Sequence, residues 1–523
     1  MSDGERRFER RDWMMVALFL AVGVMLRIPF RSQMAYHWDS AQFTLAIQLF
    51  DMRLSQPHAP GYFLYVILGR LVNYFVGDPH ASLVWISVVF SGALPSIVYL
   101  LATAMFGRWA GVAAGLLALT SPLVWFHGCV ALSYIVDSFL VCLMVLVLWR
   151  AMERGGDWGC VLVIGVLLAV IGGIREQSVA GLLPLVGFSF WRFRPSRMAK
   201  LGSAAALMIG LGACWFLPMM RTSGGLETYL TIARLQASFN AQETLWGGGV
   251  DAFLRNIAYV TAFCWNGLVF GAVMLVGSLF YRAFRMSPGR KQAWDNQHAV
   301  ALGVLAVWIA PMMLLWTVGV TRQPGHVMSY LPGWFVVVGA VISHLKRGWF
   351  RIAAVLIVCA SNIVAFVAWP SSWDAIFFGI GRTAREIRAH DVRLLEFVRT
   401  TRRLFKSSEV VVCHASEPYL YGLKHFQLYL PEYDQYQLVT DPTVPHPMGK
   451  PMWRCHNGLL EFVSGLDLSD KKLIVLFVPP GESLDIFKPY FHVEKAKCLT
   501  EGANNFYGLA TGVANGGQED LLK

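Results

Sequence analysis

Eleven apolar runs, separated by short polar segments, constrain the fold of this chain more than any other feature. They cover residues 13–30, 83–106, 110–127, 131–150, 158–174, 177–191, 201–220, 257–281, 298–320, 330–346 and 350–369. A helix needs about 20 apolar residues to cross a bilayer. Only 15% of the residues are charged, whereas soluble proteins average about 25%. We therefore predict an all-α polytopic membrane protein with about 11 transmembrane helices.

The basic residues alternate between the two sides of this helix order. The net charge of +11 by itself would also fit a nucleic-acid-binding protein. Here, however, the charges cluster in every second connection, as the positive-inside rule expects. This places the N-terminus in the cytoplasm, and residues 31–82, the tip near 175, residues 221–256 and everything after 370 outside. The inside charges are Arg6, Arg7, Arg10, Arg11, Arg108, Arg150, Arg154, Arg192, Arg194, Arg197, Lys200, Arg282, Arg285, Arg290, Lys291, Lys346, Arg347 and Arg351.

Residues 371–523 differ in character from the apolar part of the chain. A basic helical pattern over 384–405 precedes strand-like stretches, "SEVVVCHA", "HFQLYLP", "KKLIVLFVPP" and "FHVEKAKCLT". Strands interleaved with helical stretches favour a small α/β domain. We thus divide the chain into a membrane domain, 1–370, and an extracytoplasmic α/β domain, 371–523. The latter has no phosphate-loop or metal motif, so a lid or an acceptor-docking module is its simplest role.

The first outside loop, 31–82, begins with an acidic residue at a predicted helix start. After Asp39, apolar residues recur at Phe43, Ala46, Ile47 and Phe50. This spacing predicts an amphipathic helix that lies along the membrane interface. Asp39 at its beginning fits a plain helix cap. It also fits a catalytic carboxylate that opens a long outside loop.

The turn "QPHAPGY", residues 56–62, follows in the same loop. Each proline restricts its own backbone and that of the preceding residue. Pro60 suits the first position of the next helix, which would leave the amides of Gly61 and Tyr62 free for an anion. His58 stands just before this helix and suits a phosphate donor or a metal ligand. The alternative is a rigid turn that only returns the chain to the bilayer.

Residues 37–70 resemble the first periplasmic loop of membrane glycosyltransferases of the protein O-mannosyltransferase type, which have the GT-C fold. Those families carry an acid soon after the first helix and then "HPPGYPLY". Here the corresponding pieces read "WDSAQF" and "HAPGYFLY". The aminoarabinose-lipid transferases share this plan. The resemblance extends more weakly over residues 1–370 and does not reach the C-terminal part.

The sequence departs from the family pattern at several positions. Many relatives have a second acid beside the first or three residues after it, where this chain has Ser40 and Gln42. Ala59 stands in place of the first proline of "HPPGY". A two-carboxylate site within this loop is therefore absent. The resemblance allows a divalent cation, Mg²⁺ or Mn²⁺, but these departures weaken the case for one.

Asp137 is the candidate second carboxylate. It lies in "ALSYIVDSFL", near the outer end of the fourth run. A carboxylate at membrane depth is costly and marks a functional site by default. Similar transferases often have an acid in this region. The alternative is a helix-end aspartate that bonds to Ser133 or Tyr134.

Three basic side chains are candidates for holding a phosphate. Arg175 lies in "GGIREQS" and is followed by "GLLP", as in a "GLR…LLP" pattern of the superfamily. Arg322 and His326 lie in "TRQPGHVMSYLPGW", which resembles another segment of these transferases. Arginine binds an oxyanion with two hydrogen bonds. The alternatives are a solvated Arg175–Glu176 turn, a snorkelling Arg322 and a hydrogen-bonded helix-end His326.

The resemblance implies transfer of a sugar from a polyprenyl-phosphate donor to a protein, lipid or glycan hydroxyl, with inversion at the anomeric carbon. Asp39 would be the base, and Asp137 would orient it or help to bind a metal. The donor phosphate would contact His58, Gly61, Tyr62, Arg175, Arg322 and His326. A lipid-linked-sugar flippase and a glycan polymerase are the alternatives. The expected location is the plasma membrane, which in a bacterium is the inner membrane.

Overall fold

A computed structural model describes most of the chain. The described residues are 8–284, 296–319, 323–368, 383–415, 422–438, 452–463, 465–467, 471–478, 483–488, 490–499 and 506–510. Arg322, one of the predicted phosphate ligands, lies outside them. The predicted domain boundary at residue 370 also lies outside them and stays a prediction.

The described residues up to Val367 are mainly helical. The helices are α1 Arg10–Arg27, α2 Trp38–Gln48, α3 Phe63–Val76, α4 Pro79–Phe106, α5 Arg108–Thr120, α6 Pro122–His127, α7 Tyr134–Glu153, α8 Trp158–Ile174, α9 Glu176–Arg192, α10 Arg197–Thr222, α11 Leu226–Asn240, α12 Leu245–Leu268, α13 Phe270–Phe284, α14 Asn296–Val318, α15 Leu331–Ser343 and α16 Gly348–Val367. Every predicted apolar run coincides with one or two of them.

The polytopic helical fold is therefore confirmed, while the number of spans stays a prediction. Among the described residues, six helices are long and apolar enough to cross a membrane. The pair α12 and α13, bent by 107°, adds a seventh if it forms one span. The break comes at Val269, whose φ of +47° is incompatible with a right-handed helix. Four further apolar helices, α3, α5, α8 and α15, are shorter.

The chain divides into two compact units. The helical unit comprises Met1–Arg31, Tyr62–Arg221 and Asn240–Ile387. The sheet unit comprises Ser32–Gly61, Thr222–Phe239 and Arg388–Lys523. Residues 32–61 of the first outside loop, with Asp39 and His58, thus belong to the same unit as the C-terminal residues, although more than 300 residues separate them in the sequence.

Helix α4 lies at the centre of the helical unit, where it packs on α1, α5 and α7. Small residues allow the closest of these approaches. A β-carbon added at Gly23 of α1 would lie 2.6 Å from Cα of Gly92 in α4. Without a hydrophobic force between helices in lipid, such small-residue contacts supply the packing energy. This packing holds the first turn of α7, with Asp137, against fixed neighbours.

The sheet unit contains a seven-stranded mixed sheet. Its strands are β1 Val410–Ala415, β2 Asp434–Leu438, β3 Met452–His456, β4 Leu459–Val463, β5 Leu473–Phe477, β6 Lys497–Cys498 and β7 Phe506–Ala510. The order is β4-β3-β2-β1-β5-β7-β6. The central strand β1 pairs in parallel with both β2 and β5, and the other described pairs are antiparallel.

Helices α17 Ala384–Leu404 and α18 Leu423–Tyr429 complete the α/β domain. Their apolar side chains, among them Phe397 and Phe426, pack with Val412 and Phe477 of the sheet. The predicted α/β class and the basic helix over 384–405 are confirmed. The prediction that "HFQLYLP" forms a strand is wrong, because this stretch forms most of α18. Its alternating pattern misleads, since Leu423 to Gln427 are buried on all sides of that helix.

Helix α2 differs from its prediction in the same way. We predicted an amphipathic helix at the membrane interface, but every residue from Ser40 to Ile47 is buried. Helix α2 packs on α18. Trp38 and Leu54, at either end of its segment, contact the buried Leu423, Cys455 and Leu460. The polar residues of α2, which suggested a solvent-exposed face, are therefore buried. Helix α18, which packs on α2, lies almost 400 positions further along the chain.

Candidate functional site

Asp39 is the second residue of α2 and does not cap it. The cap is His37, whose Nδ1 accepts a hydrogen bond from the Asp39 amide at 3.2 Å. The interpretation of Asp39 as a plain N-cap is therefore wrong, because the preceding imidazole already satisfies that amide. Its carboxylate still lies at the positive end of the helix dipole. Its side chain retains 21% of its exposure, whereas the next eight residues of the helix, 40–47, are all buried.

Two imidazoles flank the Asp39 carboxylate. Nδ1 of His37 lies 3.6 Å from Oδ2, and Nδ1 of His58 lies 3.7 Å from Oδ1. His58 Nδ1 also contacts Oε1 of Gln42 at 2.5 Å. A carbonyl oxygen can only accept, so this contact places a proton on Nδ1 of His58. We call Asp39, His37, Gln42 and His58 the Asp39 cluster, which is confined to the sheet unit.

The "QPHAPGY" turn holds His58 beside Gln42, but it does not start the next helix as predicted. The Gly61 amide donates to the His58 carbonyl at 3.0 Å. Gly61 and Tyr62 have φ of +113° and +47°, which ends any right-handed helix there. Helix α3 begins at Phe63 instead. The prediction that Pro60 starts it is wrong, and the Gly61 amide is engaged within the turn.

Asp137 lies in the first turn of α7 with only 2% of its surface exposed. Ser178 Oγ donates to its Oδ2 at 2.8 Å. The side-chain partner is therefore Ser178, whereas the sequence had suggested Ser133 or Tyr134; the Ser133 carbonyl accepts the ordinary helical bond from the Asp137 amide. Within the described part of the chain, Oδ1 of Asp137 has no hydrogen-bond partner. A buried acceptor without a hydrogen bond is unfavourable in free energy, so a donor placed at Oδ1 would stabilise this site.

Arg175 is buried, with 4% exposure, and does not form the solvated turn that its neighbour Glu176 suggested. It precedes α9 and donates from Nη1 to Ser133 Oγ at 3.3 Å. Its guanidinium lies 4.3 Å from the Tyr134 ring centre and 5.6 Å from that of Tyr62. Cation–π contacts of this kind are worth more when they are desolvated. The two rings therefore fix an arginine charge inside the helical unit.

His326 lies on the other side of Tyr134. It belongs to a 3₁₀ helix, Pro324–Ser329, and its ring stacks on Trp316 at 4.2 Å. The Tyr134 ring meets His326 edge to face at 5.7 Å and His127 at 5.2 Å. His127, Arg175 and His326 thus all contact the ring of one tyrosine. We call the set of Tyr62, His127, Tyr134, Asp137, Arg175, Ser178 and His326 the Tyr134 cluster.

The two clusters contain most of the predicted site residues that the structure describes. Asp39 and His58 come together in one, and Tyr62, Asp137, Arg175 and His326 in the other. The sequence analysis missed His37, Gln42, His127, Tyr134 and Ser178. A signal existed for two of them, because Gln42 follows Asp39 and Asp137 follows Tyr134 by three residues, which is one helix face. His127 and Ser178 carry no such local signal.

No group of three or more His, Cys, Asp or Glu side chains suited to a metal ion occurs among the residues that the structure describes. The Asp39 cluster offers one carboxylate and two imidazoles, one of which already accepts a backbone proton through Nδ1. Metal ligands need free lone pairs, so that nitrogen does not suit a cation.

Gly325→Ala tests the position of Tyr134 without touching a charged group. A β-carbon at this position would lie 2.3 Å from Cγ of the Tyr134 ring. The buried ring must move, at a cost of roughly 1–3 kcal/mol. We expect a lower midpoint of thermal denaturation in detergent. Gly303→Ala is the control, since a β-carbon there meets nothing within 4 Å; equal midpoints for the two variants would contradict the packing.

Comparisons with known proteins identify the fold. The structure is similar to the crystal structure of the aminoarabinose transferase ArnT from Cupriavidus metallidurans bound to undecaprenyl phosphate, with TM-score 0.55 and 12% identity over 97% of this chain and 99% of that one. The apo state of the same protein gives TM-score 0.52 and 12% identity over 95% and 98%. Neither a protein-family model nor a curated protein matches the sequence.

This similarity covers more of the chain than the sequence suggested. The resemblance in sequence stopped near residue 370, whereas the similar structure extends over nearly the whole length of both proteins. The C-terminal sheet domain is thus part of the shared fold.

Proposed function

We propose that this chain, which has the GT-C fold, is an integral membrane glycosyltransferase that moves a sugar from a polyprenyl-phosphate donor to an acceptor hydroxyl. The observation that supports it most is the full-length similarity to ArnT, whose structure holds undecaprenyl phosphate. A partly exposed carboxylate in the first loop, at the position expected for this fold, adds a chemical reason.

Asp39 is the proposed general base. Its carboxylate takes the proton of the acceptor hydroxyl as that oxygen attacks the anomeric carbon. The bond between the anomeric carbon and the phosphate oxygen breaks at the same time, which inverts the configuration and leaves a polyprenyl phosphate anion. His58, with a proton on Nδ1, and His37 lie close enough to orient the carboxylate and to stabilise its charge.

Arg175 and His326 are the proposed partners of the leaving phosphate. Negative charge develops on that phosphate in the transition state, and a fixed cation in a poorly solvated place stabilises it strongly. The rings of Tyr62 and Tyr134 hold the guanidinium in position. His58, Gly61 and Arg322 remain predicted contacts of the donor, Arg322 outside the described residues and Gly61 without the free amide expected of it.

Asp137 is the proposed second carboxylate. Ser178 occupies one of its oxygens, and the other accepts no hydrogen bond within the described residues. A donor-sugar hydroxyl or the Arg175 side chain would satisfy it. We propose that the negative charge of Asp137 orients the guanidinium of Arg175 in the Tyr134 cluster. In this proposal Asp137 does not take the acceptor proton.

The proposed geometry in the membrane follows the basic residues. We propose that the N-terminus is cytoplasmic, and that the Asp39 loop and the C-terminal domain lie on the extracytoplasmic face of the plasma membrane. A cysteine introduced at the exposed Leu459 should then react with an impermeant maleimide added to intact spheroplasts. A cysteine at the exposed Trp349 should react only after lysis; the reverse pattern would overturn the orientation.

Transfer from labelled donors tests the function. Membranes containing the protein are incubated with polyprenyl-phosphate sugars labelled in the sugar, together with a host extract as acceptor. The proposal expects label on the acceptor with polyprenyl-monophosphate donors. Label that crosses sealed vesicles while still attached to lipid would identify a flippase instead. Growth of a repeating glycan from diphosphate donors would identify a polymerase.

A further inference from the structure

Three side chains of the C-terminal domain bind the main chain of the first outside loop on both sides of α2. Before α2, Asp391 of α17 accepts from the amides of Gln33 and Met34 at 2.7 and 3.0 Å. The Tyr429 hydroxyl accepts from the Ala35 amide at 2.7 Å. After α2, the Lys424 amine donates to the Leu54 carbonyl at 2.6 Å. All of these residues belong to the sheet unit.

Lys424 is the most unusual of the three, because its side chain is fully buried. Burial lowers its pKa to about 7. Its amine also donates to Gln427 Oε1 at 3.0 Å, and Gln427 Nε2 in turn donates to the Gly458 carbonyl in the β3–β4 turn. The ring of Trp453 lies 5.8 Å from the amine. A chain of hydrogen bonds therefore connects the loop carbonyl to the sheet.

The charged form of Asp391 is also disfavoured by its surroundings. Burial raises its pKa to about 6, although the two amide hydrogen bonds act in the opposite direction. Asp391 is only partly buried, and its carboxylate is stabilised by the groups that it binds. Here these groups are two consecutive amides that lead directly into α2, at the end that carries Asp39.

We infer that the C-terminal sheet domain positions Asp39, and that Asp391, Lys424 and Tyr429 are positioning residues that fix the main chain at the two ends of the Asp39 helix. The catalytic part of this inference rests on the proposed function. All three side chains bind loop main chain, so they fix where the loop runs whatever its side chains are. A catalytic group must be held to within about 0.5 Å. Misplacement by about 1 Å can cost roughly 100-fold in rate.

Tyr429→Phe is the cleanest test, because it removes one hydroxyl and nothing else. Its matched control is Tyr433→Phe, four residues further on. The Tyr433 hydroxyl donates to the Phe405 carbonyl at 2.8 Å, within the C-terminal part alone. Both variants lose a hydroxyl hydrogen bond of 2.7–2.8 Å, and Tyr433→Phe also loses a longer one to the Thr401 carbonyl, but only Tyr429→Phe releases the first loop. Lys424→Met, which keeps a long apolar stem, tests the other end.

Hydrogen exchange of the full-length protein in detergent tests the anchoring without any activity. We expect the peptide that covers residues 33–38 to exchange about tenfold faster in Tyr429→Phe than in wild type. In Tyr433→Phe this peptide should exchange as in wild type. Equal rates in the two variants would overturn the inference. This readout decides the anchoring even if wild type transfers no sugar, in which case only the proposed function fails.

Kinetics test the catalytic consequence. We expect Tyr429→Phe to lower kcat about three- to tenfold with an unchanged donor KM, and the double variant with Lys424→Met to lose about 100-fold. In an Asp39→Asn background, Tyr429→Phe should have no further effect on residual transfer, because the positioned group is gone. The same fold-loss in both backgrounds would show a general folding defect and overturn the positioning role.

Discussion

Asp39→Asn is expected to lower the rate of sugar transfer by about 10²- to 10⁴-fold, the range that general-base catalysis supplies. The amide has nearly the same shape but cannot take the acceptor proton. The His37 cap bonds to the main chain of residue 39, so α2 should remain folded. The loss should therefore fall on kcat, with the donor KM changed little. Single-turnover transfer from a labelled donor measures it.

Asp51→Asn is the matched control for this prediction. Asp51 lies in the same loop, but it forms an ion pair with Arg53 at 2.6 Å and caps the short helix that follows. Its substitution also removes one negative charge from the loop. We expect transfer within about threefold of wild type, because Asp51 pairs with the half-exposed Arg53 and lies outside the Asp39 cluster. Comparable losses in both variants, or full activity of Asp39→Asn, would move the base away from Asp39.

Arg175→Met is expected to lower kcat/KM by about 10²- to 10³-fold, the usual effect of removing one preorganised charge stabiliser. Methionine fills much of the space between Tyr62 and Tyr134 but carries no charge. Arg175→Lys should be intermediate, because an ammonium keeps the charge and loses the planar fork. Steady-state kinetics over donor concentration separate this loss from weaker donor binding.

Arg192→Met, at the opposite end of α9, is the control for Arg175. Arg192 is exposed and lies over the ring of Phe188. Its loss should change transfer by less than about twofold, since exposed charges contribute little. If Arg175→Met keeps wild-type kinetics while only its thermal midpoint falls, Arg175 is a packing residue and the phosphate partner lies elsewhere.

The sequence predicted the membrane helices well because each depends on its own composition. A run such as 83–106 forms α4 in any polytopic chain, since its backbone groups must bond internally in lipid. The C-terminal α/β class followed from strand-like stretches that alternate with helical patterns. The Asp39 and Asp137 regions stood out because an acid near or within an apolar run needs a reason to be there.

Some of the errors lie where distant residues decide the local structure. Helix α2 was predicted to be amphipathic, with one polar face. Instead it packs on α18, which lies almost 400 residues away in the sequence. The start of α3 was predicted at Pro60, but Gly61 and Tyr62 adopt positive φ that no pattern announces. The contacts of Tyr134 could not be predicted, because its neighbours lie on α6 and on the 3₁₀ helix at His326, which meet α7 only in the folded chain.

The direct test of the central claim uses purified wild-type protein and a polyprenyl-phosphate sugar labelled in both sugar and lipid phosphate. We expect free polyprenyl phosphate to appear in equal amount to the sugar on the acceptor, and the new glycosidic bond to have the opposite anomeric configuration to the donor. Sugar that remains attached to its lipid, with or without movement across the bilayer, would contradict it.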